Sequence, residues 1–430
     1  MRSFPRIGLS AALVVFAGML GACSSSSNNV APTSVRLVNA TTAGATSPVL
    51  DLSLSGAPAV TAVAVGSASG YVSQNPSTYA ESVTDETGTL SSGTPLTVNL
   101  GTGESYTIVA YTLGTTVAMG YLTDNLGIPS SGQSTVAFAN FSTDAGPLDV
   151  YVLPQNTASV PAGAQPVYGS VTGQSLPVTE AAGNYTIIAT KPNTPGDIRF
   201  INQSVNLTGG QAEVMAFTPT SGGGLVNGML IVQGGNPTTM AMAYARVRIA
   251  AELPSGTSLV TASVVSGATT TPVASVNAPF VGTYTLVPAG SVTWSNVTSA
   301  AGTVVTTGLP SSLTAGGDYS LVVYGTTPTA ELLADDNQYP GNGSGSLRLV
   351  NVSGTSVSML VDYAPFPSAA SPTTTSSYYG VTPSSNAPTI TLNGGAISLL
   401  DPPNSLVAGS VYTVFVYASS GTGAFLSKDR

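Results

Sequence analysis

A protein without histidine lacks the side chain most often used to move protons at neutral pH, and this chain has none. The Ser-His-Asp arrangement and the commonest zinc ligand are excluded with it. Cys23 is the single cysteine, so neither an intrachain disulfide nor a cysteine-built metal site can form. Acid–base work would fall to Asp, Glu, Tyr or Lys. A carboxyl group serves as a general acid near neutral pH only where burial or a like charge raises its pKa. Glycoside hydrolysis would need two facing carboxylates, and no spacing among the 19 acidic residues nominates such a pair.

Three acids, Asp51, Asp149 and Asp362, occupy similar places in a repeated pattern. A carboxylate there could hold a ligand; we read it instead as structural, capping a turn or pairing with Arg36 or Arg348. Asp124-Asn125 and Asp335-Asp336-Asn337 offer oxygens for a hard cation, but no spaced Asp-x-Asp-x-Asp loop surrounds them. We read both as solvated turns. No cofactor or metal site is expected. Aromatics supply the one hint of a binding surface: Tyr363 and Phe366, then Tyr378 and Tyr379, flank a loop rich in Pro, Ser and Thr. Exposed rings of this kind stack on sugars or anchor protein contacts, although such rings also fill sandwich cores.

Cys23 carries the clearest chemistry. Arg2 and Arg6 precede a short apolar run, Ile7 to Leu20, followed by Leu20-Gly21-Ala22-Cys23. The run is shorter than the roughly 20 apolar residues of a comfortable membrane span. The last four residues resemble the bacterial lipobox, in which small residues enter the signal-peptidase cleft and the thiol accepts diacylglycerol. A polar tether, Ser24 to Asn29, follows. The resemblance implies three acyl chains, enough for firm anchoring where one would be marginal. It also implies the outer membrane, since Ser24 stands where an Asp favours inner-membrane retention.

The rest of the chain must position these groups, and it repeats. Opening segments VRLVNA (35–40), VAFANF (136–141), VRIA (247–250) and LRLVNV (347–352) share a pattern, the second without arginine. Closing segments SYTIVAY (105–111), AEVMAF (212–217), DYSLVVYG (318–325) and VYTVFVYA (411–418) each follow a glycine-containing turn. Short Val/Thr/Tyr/Ile runs alternate with Gly/Pro/Ser/Asn turns, and no window keeps a helical period. With 48 glycines and 30 prolines, long helices are not expected beyond the signal. Only 7% of residues are charged, against roughly 25% in an average protein, so solubility must come from hydroxyls and amides. Removing residues 1–22 leaves 8 basic and 19 acidic residues, a net −11, with the basic ones scattered. A nucleic-acid partner is thereby excluded.

The openings, the following acid in VLDLSL, PLDVYV and MLVDYA, and closings such as AGGDYSLVVYGTTPTAELLADDN resemble the domain of unknown function 4397 family. That resemblance implies tandem immunoglobulin-like antiparallel β-sandwich domains in a bacterial cell-envelope protein, and no activity. The expected organisation is a signal peptide (1–22), a lipidated cysteine and tether (23–34), and sandwiches at 35–126, 134–232, 246–338 and 346–430. Gly127–Gln133, Gln233–Tyr244 and Pro340–Ser346 are the expected linkers, giving beads on a string grouped as two pairs. The expected role is a non-enzymatic, lipid-anchored scaffold or binding module, with the membrane and an envelope protein or polysaccharide as partners. An envelope glycan hydrolase with an unidentified carboxylate pair stays open as the alternative.

Replacing Cys23 with Ser should release the protein from the membrane fraction and abolish incorporation of labelled palmitate. Full membrane retention of that variant, with no label in the parent, would rule out the anchor.

Overall fold

In the computed structural model the described residues are 31–42, 48–85, 93–253, 258–300, 302–341, 343–366, 374–383, 390–392, 395–396, 399–400, 405–418 and 422–430. Cys23 and the signal segment lie outside them. Among the described residues the chain is all-β, and no helix is long and apolar enough to cross a membrane. Four successive units each contribute two main sheets. In the first unit, Val35, Leu37 and Ile108 of one sheet pack against Leu50, Leu52 and Val83 of the other. The same face-to-face burial recurs around Phe138 and Phe200, around Ile249 and Val264, and around Leu349 and Met359. These are tandem β-sandwiches.

One feature departs from a purely antiparallel sandwich. In every unit the opening strand runs parallel to the closing strand: Thr33–Ala40 with Ser105–Leu113, Gln133–Asn140 with Ala212–Pro219, Tyr244–Glu252 with Asp318–Tyr324, and Gly345–Val352 with Val411–Ala418. Between the two the chain crosses to the opposite sheet and back, the long connection that parallel neighbours require. A final strand then completes each sheet antiparallel to the closing strand: Thr116–Thr123, Val226–Val232, Thr329–Asp335 and Thr422–Lys428. In the second unit Pro237–Met240 adds another strand, inside the stretch expected to be a linker.

The glycine turn before each closing strand is held by one device. The hydroxyls of Tyr106, Tyr319 and Tyr412 accept from the backbone N–H groups of Gly101, Thr314 and Val407 at 2.9–3.0 Å. In the second unit Glu213 takes the tyrosine's place, its Oε1 accepting from Thr208 N at 3.4 Å.

The opening and closing strands are buried on both faces. Their alternate residues form a second layer between neighbouring units. Val38, Val109 and Leu122 pack on Ala139, Val214 and Ile231, and Ala250 and Val322 pack on Val350, Phe415 and Phe425. Stacked Tyr111 and Phe141, 5.6 Å apart, and edge-to-face Phe280 and Phe425, 5.7 Å apart, add to these layers. Independent beads would expose this surface; instead the units join as two face-to-face pairs.

A third joint links the second unit to the third. Gly222 N donates to Gly316 O at 3.1 Å, Asn337 N to Gly222 O at 3.0 Å, and Thr220 Oγ1 to Gly316 O at 3.0 Å. A Cβ on Gly222 would come within 2.6 Å of Asp318 N and Gly316 O, and one on Gly224 would overlap the Arg246 guanidinium. Backbone approach this close admits only glycine. Replacing Gly224 with Ala should therefore cost about 1–3 kcal/mol, the usual penalty of overpacking, and lower the melting temperature. A melt matching the parent's would show that this joint is looser than described.

Candidate functional site

At the outer face of the opening strand, Arg36, Arg248 and Arg348 point away from their own sandwich cores. Each is nonetheless almost fully buried, with 1–2% exposure. A guanidinium there needs every donor satisfied, because an unpaired buried charge is costly. The pairing is repeated. Nε donates to a hydroxyl on the parallel closing strand: Arg36 to Thr107 at 2.7 Å, Arg248 to Ser320 at 2.8 Å, Arg348 to Thr413 at 2.9 Å. That hydroxyl donates to an acid at the end of the final strand, Asp124, Asp335 or Asp429. A tyrosine ring lies 4.7–4.9 Å from each guanidinium, namely Tyr71, Tyr284 and Tyr378, adding cation–π attraction.

The remaining donors cross the joint. Arg248 Nη2 lies 2.8 Å from Asp429 Oδ1 of the fourth unit, and Arg348 Nη2 bonds Asp335 of the third. Arg348 Nη1 also donates to Ala334 O at 2.9 Å. The exchange is reciprocal, as in a two-fold interface between like subunits, here made within one chain. The first pair has half of it. Arg36 Nη2 donates to Val232 O at 2.9 Å and Nη1 to Gly235 O at 2.8 Å. In the second unit Ala137 and Val214 sit in register where the first has Arg36 and Thr107.

At the joint of the second and third units Arg246 grips Asp318 bidentately, at 2.8 and 2.6 Å. Asn337 Nδ2 supports Asp318 at 2.8 Å, while Arg199 and Asp197 pair beside Arg246 at 2.7 Å. Arg430 reaches back to the second unit, donating to Asp144 O at 2.8 Å and Thr143 O at 2.7 Å over the ring of Tyr339. All six arginines beyond residue 22 thus stand at joints between units.

The acids differ in charge state according to their company. Burial would push the Asp335 carboxyl up, but Arg348 and Arg248, helped by the hydroxyls of Tyr284 and Ser320, outweigh it and hold Asp335 below its ordinary value. At Asp124 burial wins: hydrogen bonds from Thr107 and Tyr71 and the single charge of Arg36, 3.7 Å away, leave its pKa raised. Burial, with Asp124 beside it, lifts Tyr71 to about 12. Two further carboxyls are buried with neither oxygen partnered among the described residues. Glu81 is pushed up to about 8 and Glu252, beside Tyr417 at the third–fourth joint, well above its usual value.

The acids singled out in the sequence fall into two groups. Asp51 caps a bulge, and Asp149 a bulge and a hairpin turn. Asp51 Oδ1 accepts from Ala62 N at 2.8 Å, and Asp149 accepts from Ser170 N and Asn193 N at 2.9 Å each. All three donors have positive φ: Ala62 and Ser170 at register shifts of their strands, Asn193 in the two-residue turn between Lys191 and Thr194. Both thus cap backbone donors, one of the two roles read for them; Asp51 does not pair with Arg36, and the second unit's opening strand has no arginine to match Asp149. Asp362 itself has positive φ in a two-residue turn with Tyr363. Asp124 and Asp335, expected in solvated turns, are instead 3% and 4% exposed, because the units close over them. Of the four aromatics, Tyr363 stands in solvent at 78% exposure. Phe366 is buried edge-on against Tyr379, centroids 5.2 Å apart, and Tyr378 lies on Arg348. They do not form one exposed patch.

Between the second, third and fourth units lies a cleft of about 430 Å³, reached from solvent past Asp336, Thr314 and Thr375. Arg348, Asp335, Asp318 and Tyr378 form its inner wall. Among the described residues no group of three or more His, Cys, Asp or Glu side chains is placed to hold a metal.

Fold and joints define a class: a tandem β-sandwich protein whose units are clasped by buried arginines. Residues 33–151 match the family described as Domain of unknown function (DUF4397), over the whole first unit and into the second. No curated protein matches the chain. Among solved structures, the Bacillus anthracis TIE protein matches at 10% identity with a TM-score of 0.12, over 72% of this chain and 48% of that one. The present chain therefore spans about half of that protein.

Asp335 makes the third–fourth joint acid-sensitive. Its folded pKa is lowered, so its contribution is present above the unfolded value near 4 and is lost as pH falls through the folded value. Replacing Asp335 with Asn leaves two buried arginines uncompensated and should cost about 3–5 kcal/mol at pH 7. Chemical denaturation at pH 7 and pH 3 checks this: the gap between parent and variant should narrow in acid.

Proposed function

We propose that this chain is a non-enzymatic scaffold of the bacterial cell envelope, lipid-anchored through Cys23, that holds four sandwiches in one fixed arrangement. The observation that supports it is the continuity of the joints. First and second, second and third, third and fourth, and second and fourth units are each bridged by arginine or backbone hydrogen bonds. A spacer that had only to reach would keep its units loose; one that must present surfaces in register rigidifies them. The polar tether and the outer-membrane reading of Ser24 belong to the same proposal, as does presentation of envelope protein or polysaccharide partners.

The alternative, an envelope glycan hydrolase, gains little from the cleft. Its inner carboxylates, Asp318 and Asp335, are both engaged by arginines. Asp335 is kept ionised and has no proton to give, whereas an acid catalyst needs a raised pKa.

Small-angle scattering of the full chain should show one rigid particle. Changing Arg248 and Arg348 to Ala together should increase the radius of gyration and open residues 339–346 to protease. Scattering from the parent that fits freely jointed beads would defeat the scaffold reading.

A further inference from the structure

The third–fourth joint holds one residue that the repeat does not call for. Four residues beyond the arginine, the opening strand has Ala40 in the first unit, Glu252 in the third and Val352 in the fourth. They stand opposite Tyr111, Tyr324 and Tyr417 of the closing strands. Glu252 shares the outward face of its strand with Arg248 and Ala250, so it is directed into the layer between the two units. It is 1% exposed, and neither carboxyl oxygen has a hydrogen-bond partner. A buried polar group without a partner weakens the contact that buries it, and a charged one does so far more.

Its surroundings offer the charged form nothing. The layer is apolar, built on Val322 of the third unit and Val350, Val352, Phe415 and Phe425 of the fourth. The titratable groups in or beside it are Tyr324 on the adjoining closing strand, Glu331 on the final strand beyond, and Tyr417 from the fourth unit. The segment flanking the other side of the strand, Ala278–Val281, carries none. Among the described residues no cation stands there. Arg248 is four residues away, about 13 Å at a strand rise of about 3.3 Å per residue, and is engaged by Ser320 and Asp429. Lys428 stands beside Asp429, at that far end. Burial alone therefore pushes the Glu252 carboxyl well above its usual value, with no opposing charge.

We propose that Glu252 makes the third–fourth joint a pH-gated hinge, closed while this carboxyl keeps its proton and swung open at the Glu252 edge once the proton passes to water, with the Arg248–Asp429 and Arg348–Asp335 pairs as the pivot. The pivot does not titrate in the same range, since Asp335 is held below its ordinary value and arginine stays charged. With the joint open, Glu252 ionises near the usual value of about 4.3. The closed joint demands the neutral form. Closure is therefore fully favoured below that value and loses up to about tenfold in its equilibrium constant per pH unit above it, until the closed-state value is reached. Asp335 acts in the opposite sense as pH falls below about 4, so the joint is firmest between the two titrations. The inference rests on the scaffold reading and refines it: the arrangement is fixed in mild acid and hinged in mild alkali.

The test is small-angle scattering of the full chain from pH 5 to pH 9, together with binding of a fluorescent dye that reports exposed apolar surface. The parent should be one compact particle at pH 5, and by pH 9 it should expand and take up dye. Glu252→Gln keeps the shape without titrating, and Glu252→Val matches the fourth unit. Both should stay compact and dye-free throughout, so either decides the matter where the other fails to fold. Chemical denaturation adds a slope: relative to Glu252→Gln, the parent's folding equilibrium constant should fall by about tenfold per pH unit above pH 5. Glu81, buried in the first core and pushed up to about 8, contributes equally to both proteins and cancels. A parent equally compact at pH 5 and pH 9, or variants that expand with it, overturns the hinge and leaves the scaffold reading standing. Freely jointed scattering already at pH 5 defeats both.

Discussion

Putting a guanidinium on the outward face of a strand and then covering that face is the constraint from which the architecture follows. An arginine between Val35 and Leu37, or between Leu347 and Leu349, would ordinarily look into water. Here the neighbouring unit closes over it. Once water is excluded, all donors must be met by protein, and the closing-strand hydroxyl, the final-strand acid and the neighbour's carbonyls become obligatory. Arginine suits this role better than lysine. Its planar fork satisfies several acceptors in fixed directions, and it sheds its weaker hydration at lower cost. The only lysines, Lys191 and Lys428, are exposed.

The second unit shows the same interface solved by other chemistry. Ala137 and Val214 replace arginine and hydroxyl there, and the joint still forms by packing against Val38, Val109 and Leu122. Replacing a buried ion pair with apolar residues of suitable shape is often neutral or stabilising, so loss of the charge on one side is no defect. Arg36 survives opposite because backbone carbonyls of the second unit take its outer donors, with no partner acid across the joint. Asp124, attended by a single arginine, consequently has its pKa raised where Asp335, between two, has it lowered.

Much of this was legible in the residues. The fourfold repeat, the all-β class and the paired opening and closing strands follow from period, turn residues and self-similarity, and the absence of histidine bounded the chemistry. The joints were harder to read, though they left a signal. LDLSL at 50–54 alternates between buried and half-buried, as a strand with one open face should, whereas SYTIVAY and AEVMAF are near-continuous apolar runs, broken only by Ser105, Thr107 and Glu213. Continuous runs mark strands covered on both faces. Asp124 and Asp335 misled because an acid beside Asn reads locally as a turn; what buries them comes from another unit, beyond the reach of any local pattern. Phe366 and Tyr379 misled in the opposite sense, since ring type alone does not distinguish a platform from a core.

The low charge of the chain takes on a different meaning in this light. Six of the eight basic residues beyond residue 22 are arginines committed to joints, and several acids are committed with them. Few charges remain for the surface, and most of those are acidic. Hydroxyls and amides therefore carry the hydration, while residual negative charge keeps copies apart. Such a surface offers little electrostatic steering to a phosphate-bearing or strongly acidic partner. It favours contacts made by hydrogen bonds and by shape, which a rigid arrangement of units is suited to provide. Rigid joints and a sparsely charged surface are thus two results of one allocation: the charges are spent inside, where they fix geometry, and polar neutral groups are left outside, where contacts are made.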